Sequence, residues 1–334
     1  LSIDLEASDQ SAITVQGMIG ATVADAEVPV TVLRNGLVIQ KPFFCITDDD
    51  GNSKGSWDMR QRDLTLTLCE GMRFEAIAQY QILFEVMNPD LPQSSPSISI
   101  EASGTVEYIS EALKRPSQVS GIETDLFGVA DAADALFVMI PLFEEARIAQ
   151  DNFLSRARNL ITVTFMSNID LSEEHDAFIS ICCISSAEVR DSMIVTVEKT
   201  DNSRDVALPS FCFDSIGTGG TNIVHFNDTT FGVQMYLCPF SGNKISSWSE
   251  FSVSFYVNNP DFNRNSPAIS ISATANTPAS GIAALLMEKP GTTVRGVSNG
   301  DDPMEIVVPE FLTTLAGQST PVSGAANTIT VTFQ

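Results

Sequence analysis

Several stretches of this sequence carry residue types and spacings that could do chemistry. Asp48-Asp49-Asp50-Gly51-Asn52 is oxygen-rich in the manner of a calcium loop. An EF-hand loop needs oxygen ligands at alternate positions and a bidentate Glu at the twelfth. With Gly51 at the sixth position, the twelfth falls on Trp57, and the matching loop Ser215 to Asn222 carries no acid. His175 and His225 have no histidine counterparts at matching positions, and the six cysteines include no C-x-x-C pair, so zinc spacing is absent. No G-x-S-x-G elbow presents a nucleophile, and Gly217-x-Gly219-Gly220 lacks the Lys-Ser/Thr of a phosphate loop. Forty-two acids are present, but nothing singles out two of them for glycoside hydrolysis. The reading is a chain with no catalytic, cofactor-binding or metal-ligating residues, and no enzyme.

Two motifs recur. Asn88-Pro-Asp90 is followed by Ser95-Pro-x-Ile98-Ser99-Ile100, and Asn259-Pro-Asp261 by Ser266-Pro-x-Ile269-Ser270-Ile271. Asp90 and Asp261 could hold a ligand, but proline fixes φ and the flanking Asn and Asp cap a turn, so the reading is a structural turn that sets the next strand's register. Cys45 with Cys69 and Cys212 with Cys238 also recur as pairs. Buried, reduced thiols are expected, with a disulfide within each repeat left open, and Cys182-Cys183 in the apolar run Phe178 to Ile184 reads as core.

The elements that position these residues are written twice. Phe84–Ala102 and Phe255–Ala273 are identical at 11 of 19 positions at an offset of 171. Gly128–Phe165 and Gly296–Phe333 share 14 of 38 at an offset of 168, both ending in ITVTF. The repeat divides the chain into 1–166 and 167–334, each long enough for its own core. The junction Phe165-Met-Ser-Asn168 has no linker composition, so a rigid pair related by a pseudo-two-fold axis is expected.

Within each unit the apolar residues alternate. Ile13-Thr-Val15, Val28 to Leu33, Leu64 to Cys69, Ile98-Ser-Ile100 and Ile161 to Phe165 read as half-buried strands, separated by turns at Asn35-Gly36, Asp50-Gly51, Asn88-Pro-Asp90 and Gly217 to Gly220. One short helix per unit is expected, at Ile109–Arg115 and Ala283–Lys289, with a further one over Phe143–Phe153. The fold class is all-β: two tandem sandwich- or barrel-like domains of seven or eight strands each.

With 43% apolar and 18% charged residues the chain is globular, and its net charge of −24 removes non-specific nucleic-acid binding and docking on an anionic membrane. The longest apolar run, Ala135 to Phe143, is far short of the roughly 20 residues a spanning helix needs, so no membrane insertion is expected. A start at Leu1 without a leader is read as a chain whose targeting peptide has been removed.

A site-poor, acidic, duplicated β-protein points to assembly, because matching surfaces on two halves propagate contacts. The terminal strand Ile329-Thr-Val-Thr-Phe333 can complete its own sheet or add to a neighbour's edge. The tandem Asn-Pro-Asp…Ser-Pro-x-Ile-Ser-Ile regions, spanning nearly the whole chain, resemble the pyrenoid shell proteins of diatoms and related algae. The resemblance implies a self-assembling sheet around the Rubisco-filled pyrenoid, supporting CO2 fixation at its periphery in the chloroplast stroma. Its partners would be copies of itself and Rubisco or a pyrenoid matrix protein, without a cofactor. The alternatives are a double-barrel viral capsid protein, whose basic arm is missing here, and a secreted surface-layer or adhesin protein.

Overall fold

The architecture is taken from a computed structural model that describes residues 1–7, 11–39, 42–104, 108–184, 192–199, 207–217, 220, 222–227, 232–275 and 281–334. The expected turn at Gly217 to Gly220 falls partly outside the described residues.

The chain is all-β, with strands where the apolar–polar alternation puts one face inward. Strands of five or more residues are β1 (Ala12–Gln16), β2 (Glu27–Arg34), β3 (Ser53–Asp58), β4 (Asp63–Thr67), β5 (Tyr80–Phe84), β6 (Ser99–Ser103) and β7 (Tyr108–Ala112) in the first compact unit, Leu1–Ile140. The second unit, Pro141–Gln334, holds β8 (Phe143–Gln150), β9 (Arg158–Ser167), β10 (Phe178–Cys182), β11 (Ser192–Lys199), β12 (Ile223–Asn227), β13 (Gly232–Leu237), β14 (Phe251–Asn258), β15 (Ser270–Thr274), β16 (Ile282–Leu286), β17 (Thr314–Gln318) and β18 (Ile329–Phe333).

The three expected helices are strands. Residues 109–112 lie in β7, residues 283–286 in β16 and residues 143–150 in β8, and the remainder of each expected helix is irregular. Glu144-Glu-Ala-Arg147 and Ala283-Ala-Leu-Leu286 have good intrinsic helix propensity, but ladder pairing outweighs a preference of a few tenths of a kcal/mol per residue. In β8 the inward set Phe143, Ala146 and Ile148 is buried while β9 pairs along its whole length. Among the described residues there is no α-helix; Pro116–Gln118 and Glu173–His175 each form a single 3-10 turn.

Both units use one strand path. In the first it runs β7–β6–β1–β4–β3–β2–β5, all antiparallel, with β2 passing from β3 at Glu27–Pro29 to β5 at Val30–Arg34. In the second the equivalent strands run β16–β15–β10–β13–β12–β11–β14, and the path continues through β9 to β8. The registers match as well: Val30 faces Phe84 as Val195 faces Phe255.

The hairpin β8–β9 nearly closes the second unit's sheet. It pairs with β14 on one side, and beyond β16 it bonds Glu288, where the Ile148 amide donates to the Glu288 carbonyl at 2.9 Å and the Glu288 amide donates to the Ala146 carbonyl at 2.8 Å. This single bridge brings the two ends of the sheet together, and the hairpin's place in that sheet explains why packing divides the chain at 140/141 while the sequence repeat divides it at 166/167. The hairpin counted at the end of the first repeat is built into the second unit.

Candidate functional site

The groups with chemical types are used to hold turns. Asp48 accepts the amides of Asp50 (3.0 Å) and Asn52 (2.8 Å) on Oδ1 and the Asn52 side-chain amide on Oδ2 (3.0 Å). Those bonds, the Asn52 side chain's first, hold its carboxyl below the usual carboxylate range. Its oxygens face inward on its own turn, as an Asx turn requires. Among the described residues no group of three His, Cys, Asp or Glu side chains is arranged to hold a metal ion. His175 ends a 3-10 turn, and His225 lies against the Phe213 ring, 5.0 Å between centroids. Asp261 is exposed and accepts from Arg156 at 3.3 Å.

The cysteines depart from the reduced-thiol expectation. Cys212–Cys238 is a disulfide in the second unit, and Cys182–Cys183 is a disulfide between chain neighbours. The matching Cys45 and Cys69 are free, with the Cys45 thiol donating to the Leu68 carbonyl at 3.1 Å. Burial, followed by the neighbouring Cys45, pushes the Cys69 thiol up to about 11.

The feature with no structural employment is an edge. In the second unit β14 is paired on both sides, and its inward residues Phe251, Val253 and Phe255 are all 0% exposed. Their equivalents on β5 are Tyr80, Ile82 and Phe84, which are only half-buried, with Leu83 exposed between them. Strand β5 pairs with β2 alone, and its other edge meets no strand among the described residues. A cavity of about 620 Å³ opens beside it, lined by Phe74, Tyr80, Ile82 and Ile100. In the second unit the residues in the closing position, Ile148, Ile161, Val163 and Phe165, are buried.

The same unit carries a second hairpin. Strands β17 and β18 pair only with each other, and every residue in both is exposed, Leu315, Val331 and Phe333 each at 66%. At the repeat offset this hairpin is the equivalent of β8–β9. Ala146 faces Phe165 and Gln150 faces Ile161; in the second hairpin Thr314 faces Phe333 and Gln318 faces Ile329. The edge-on ring pair Phe143–Phe165 (6.0 Å) recurs as Phe311–Phe333 (5.6 Å). The Asn159 amide donates to Gln150 Oε1 at 2.8 Å, as the Asn327 amide donates to Gln318 Oε1 at 3.0 Å.

No family model matches this sequence, and no curated protein does. Among solved structures it is similar to the C-terminal domain of the antigen I/II-family protein AspA of Streptococcus pyogenes, at 8% identity and TM-score 0.41 over 85% of this chain and 86% of that one. The C-terminal domain of the AgI/II polypeptide BspA of Streptococcus agalactiae gives 7% and 0.40 over 85% and 86%. BcpA, the major pilin subunit of Bacillus cereus, gives 9% and 0.25 over 78% and 63%. At these scores the chain's own geometry carries the functional reading.

That geometry clarifies the Asn-Pro-Asp motif. Asn259 is buried: its amide donates to the carbonyls of Asn152 (2.8 Å) and Leu154 (2.9 Å), and its Oδ1 accepts from Asn159 (2.8 Å). The motif is a bend, and its Asn clamps the closing hairpin instead of capping its own turn. Asn88, the matching residue of the first unit, is exposed. Ser266 and Ser95 keep their common task, donating to the carbonyls of Pro303 (2.6 Å) and Ala135 (2.7 Å). The terminal strand was legible as a candidate; the edge at β5 was not, because alternation alone does not reveal which strand lacks a neighbour.

Proposed function

We propose that this chain is a structural protein that assembles with copies of itself into an extended array. The observation that carries the reading is the pairing of an open, half-buried sheet edge with a separate, wholly exposed hairpin of alternating apolar residues in the same chain. Exposed strand edges with apolar faces are sites of strand addition. The use of Asp48 to hold its own turn fits a scaffold.

The tandem Asn-Pro-Asp regions favour a shell sheet of the pyrenoid type, in the chloroplast stroma with Rubisco or a matrix protein on one face. A second reading, a secreted surface-layer or adhesin protein, is favoured by the Cys212–Cys238 disulfide, since such bonds persist in oxidising compartments.

Electron microscopy of the purified chain over a salt and magnesium series tests the assembly. Sheets, tubes or fibres with a regular repeat are expected; a monodisperse monomer under every condition overturns the reading. Thiol labelling of protein taken directly from cells separates the two settings. Cys212 and Cys238 react in a reducing stroma and stay protected outside the cell.

A further inference from the structure

We infer that the β17–β18 hairpin of one copy closes the open sheet of the first unit of another, in the register that β8–β9 already adopts on β14. The inference rests on the self-assembly reading and gives it an atomic contact.

The second unit supplies the pattern. On it Ile161 faces Phe255, Val163 faces Val253 and Phe165 faces Phe251. The repeat offsets of 168 and 171 carry these pairs to Ile329–Phe84, Val331–Ile82 and Phe333–Tyr80. Because β5 already holds β2 in the register in which β14 holds β11, its free edge presents the same alternation of N–H and C=O groups. The inward residues are apolar on both sides, and the ITVTF sequence is unchanged between donors.

The polar contacts transfer too. In the second unit Gln150 donates to the carbonyls of Gly300 (3.1 Å) and Glu305 (2.9 Å) and accepts the Met304 amide at 2.9 Å. Gln318 is the matching glutamine, and Leu136 takes the place of Met304 with the same left-handed backbone, φ 59° against 63°. Asn327 then reaches Asn88 as Asn159 reaches Asn259, which gives the exposed Asn88 a partner. At the other end of β5, the Ile77 amide donates to the Leu1 carbonyl at 3.0 Å, as the Trp248 amide donates to Ser167 at 2.8 Å. Docking therefore places Gln334 of one copy beside Leu1 of the next, where Met166 runs directly into Ser167 in the second unit.

Charge does not oppose the contact. Over residues 309–334 the only ionisable side chain is Glu310.

The test uses the full chain with its two free thiols removed (Cys45→Ser with Cys69→Ser) and, on that background, two variants that each add one cysteine, Leu83→Cys and Thr330→Cys. Both positions are exposed. Their equivalents, Ser254 and Thr162, face each other with hydroxyls 3.0 Å apart. Mixed and oxidised, the two variants should give a covalent dimer joined between positions 83 and 330, identified by peptide mass spectrometry and absent from either variant alone. The double variant cross-linking only within one chain would show that the chain's own hairpin fills the edge and would overturn the inference, as would no link at all.

Val331→Arg is the second arm. Val331 is exposed in the separate chain, so folding should be unaffected and self-association should weaken at least tenfold. Arrays that form unchanged from this variant sink hairpin docking while leaving self-assembly intact. A link between positions 83 and 330 without arrays supports the docking and removes the extended-array reading.

Discussion

The side-chain amide of Asn159 donates to Gln150 Oε1 and to Asn259 Oδ1, both at 2.8 Å and both buried, so one residue ties the closing hairpin to the Asn-Pro-Asp turn. Leaving buried partners unsatisfied costs about 1–3 kcal/mol. Asn259→Ala should therefore lower the stability of the second unit by about that amount in urea unfolding. Asn88→Ala should leave the dispersed chain unchanged and weaken association alone.

Core substitutions should separate the two equivalent strands. Phe255→Ala removes a fully buried ring and should cost about 3–5 kcal/mol. Phe84→Ala, at a half-buried position, should cost well under half of that in dispersed protein. The difference should shrink once the protein has assembled, read as the shift in unfolding midpoint on either side of the assembly threshold.

The disulfides give a unit-specific response to reductant. Cys212–Cys238 closes a sequence separation of 26 residues, and Cys212→Ser with Cys238→Ser should destabilise the second unit by about 3 kcal/mol. The first unit, whose Cys45 and Cys69 are free, should unfold at the same denaturant concentration with and without reductant.

Alkylation should report the burial of Cys69. Its thiol is raised to about 11, so near pH 8 it stays protonated and reacts slowly, and its labelling rate should keep rising with pH and level off only above about pH 11. A labelling rate at pH 8 equal to that of a free thiol would contradict the structure.

Salt should act on the body of the protein more than on the hairpin. With a net charge of −24, copies repel one another, so added salt or magnesium should favour assembly. The near-neutral hairpin predicts that Val331→Arg assembles poorly at every ionic strength. Light scattering of both proteins over one salt series checks this.

The duplication and most strands were legible in the sequence because identities at fixed offsets and alternation survive without any knowledge of packing. Ile13–Val15, Leu64–Thr67 and Ile161–Phe165 all lie in strands. Glu144–Arg147 misled because local propensity favours a helix and only the partner β9, several residues on, makes it a strand. The cysteines misled differently: the pairs recur at nearly the same spacing, yet only one pair is bonded. The site was half legible, since ITVTF announces a strand to be placed but cannot say that the edge awaiting it belongs to β5.

One acceptor edge and one donor hairpin in each chain would make the proposed array directional. Any row of copies shows an unclosed sheet at one extremity and an unseated hairpin at the other, so the two extremities grow by different encounters and can be stopped separately. A short peptide with the sequence of residues 309–334 would cap the first and leave the second growing, a means of setting length without touching the fold.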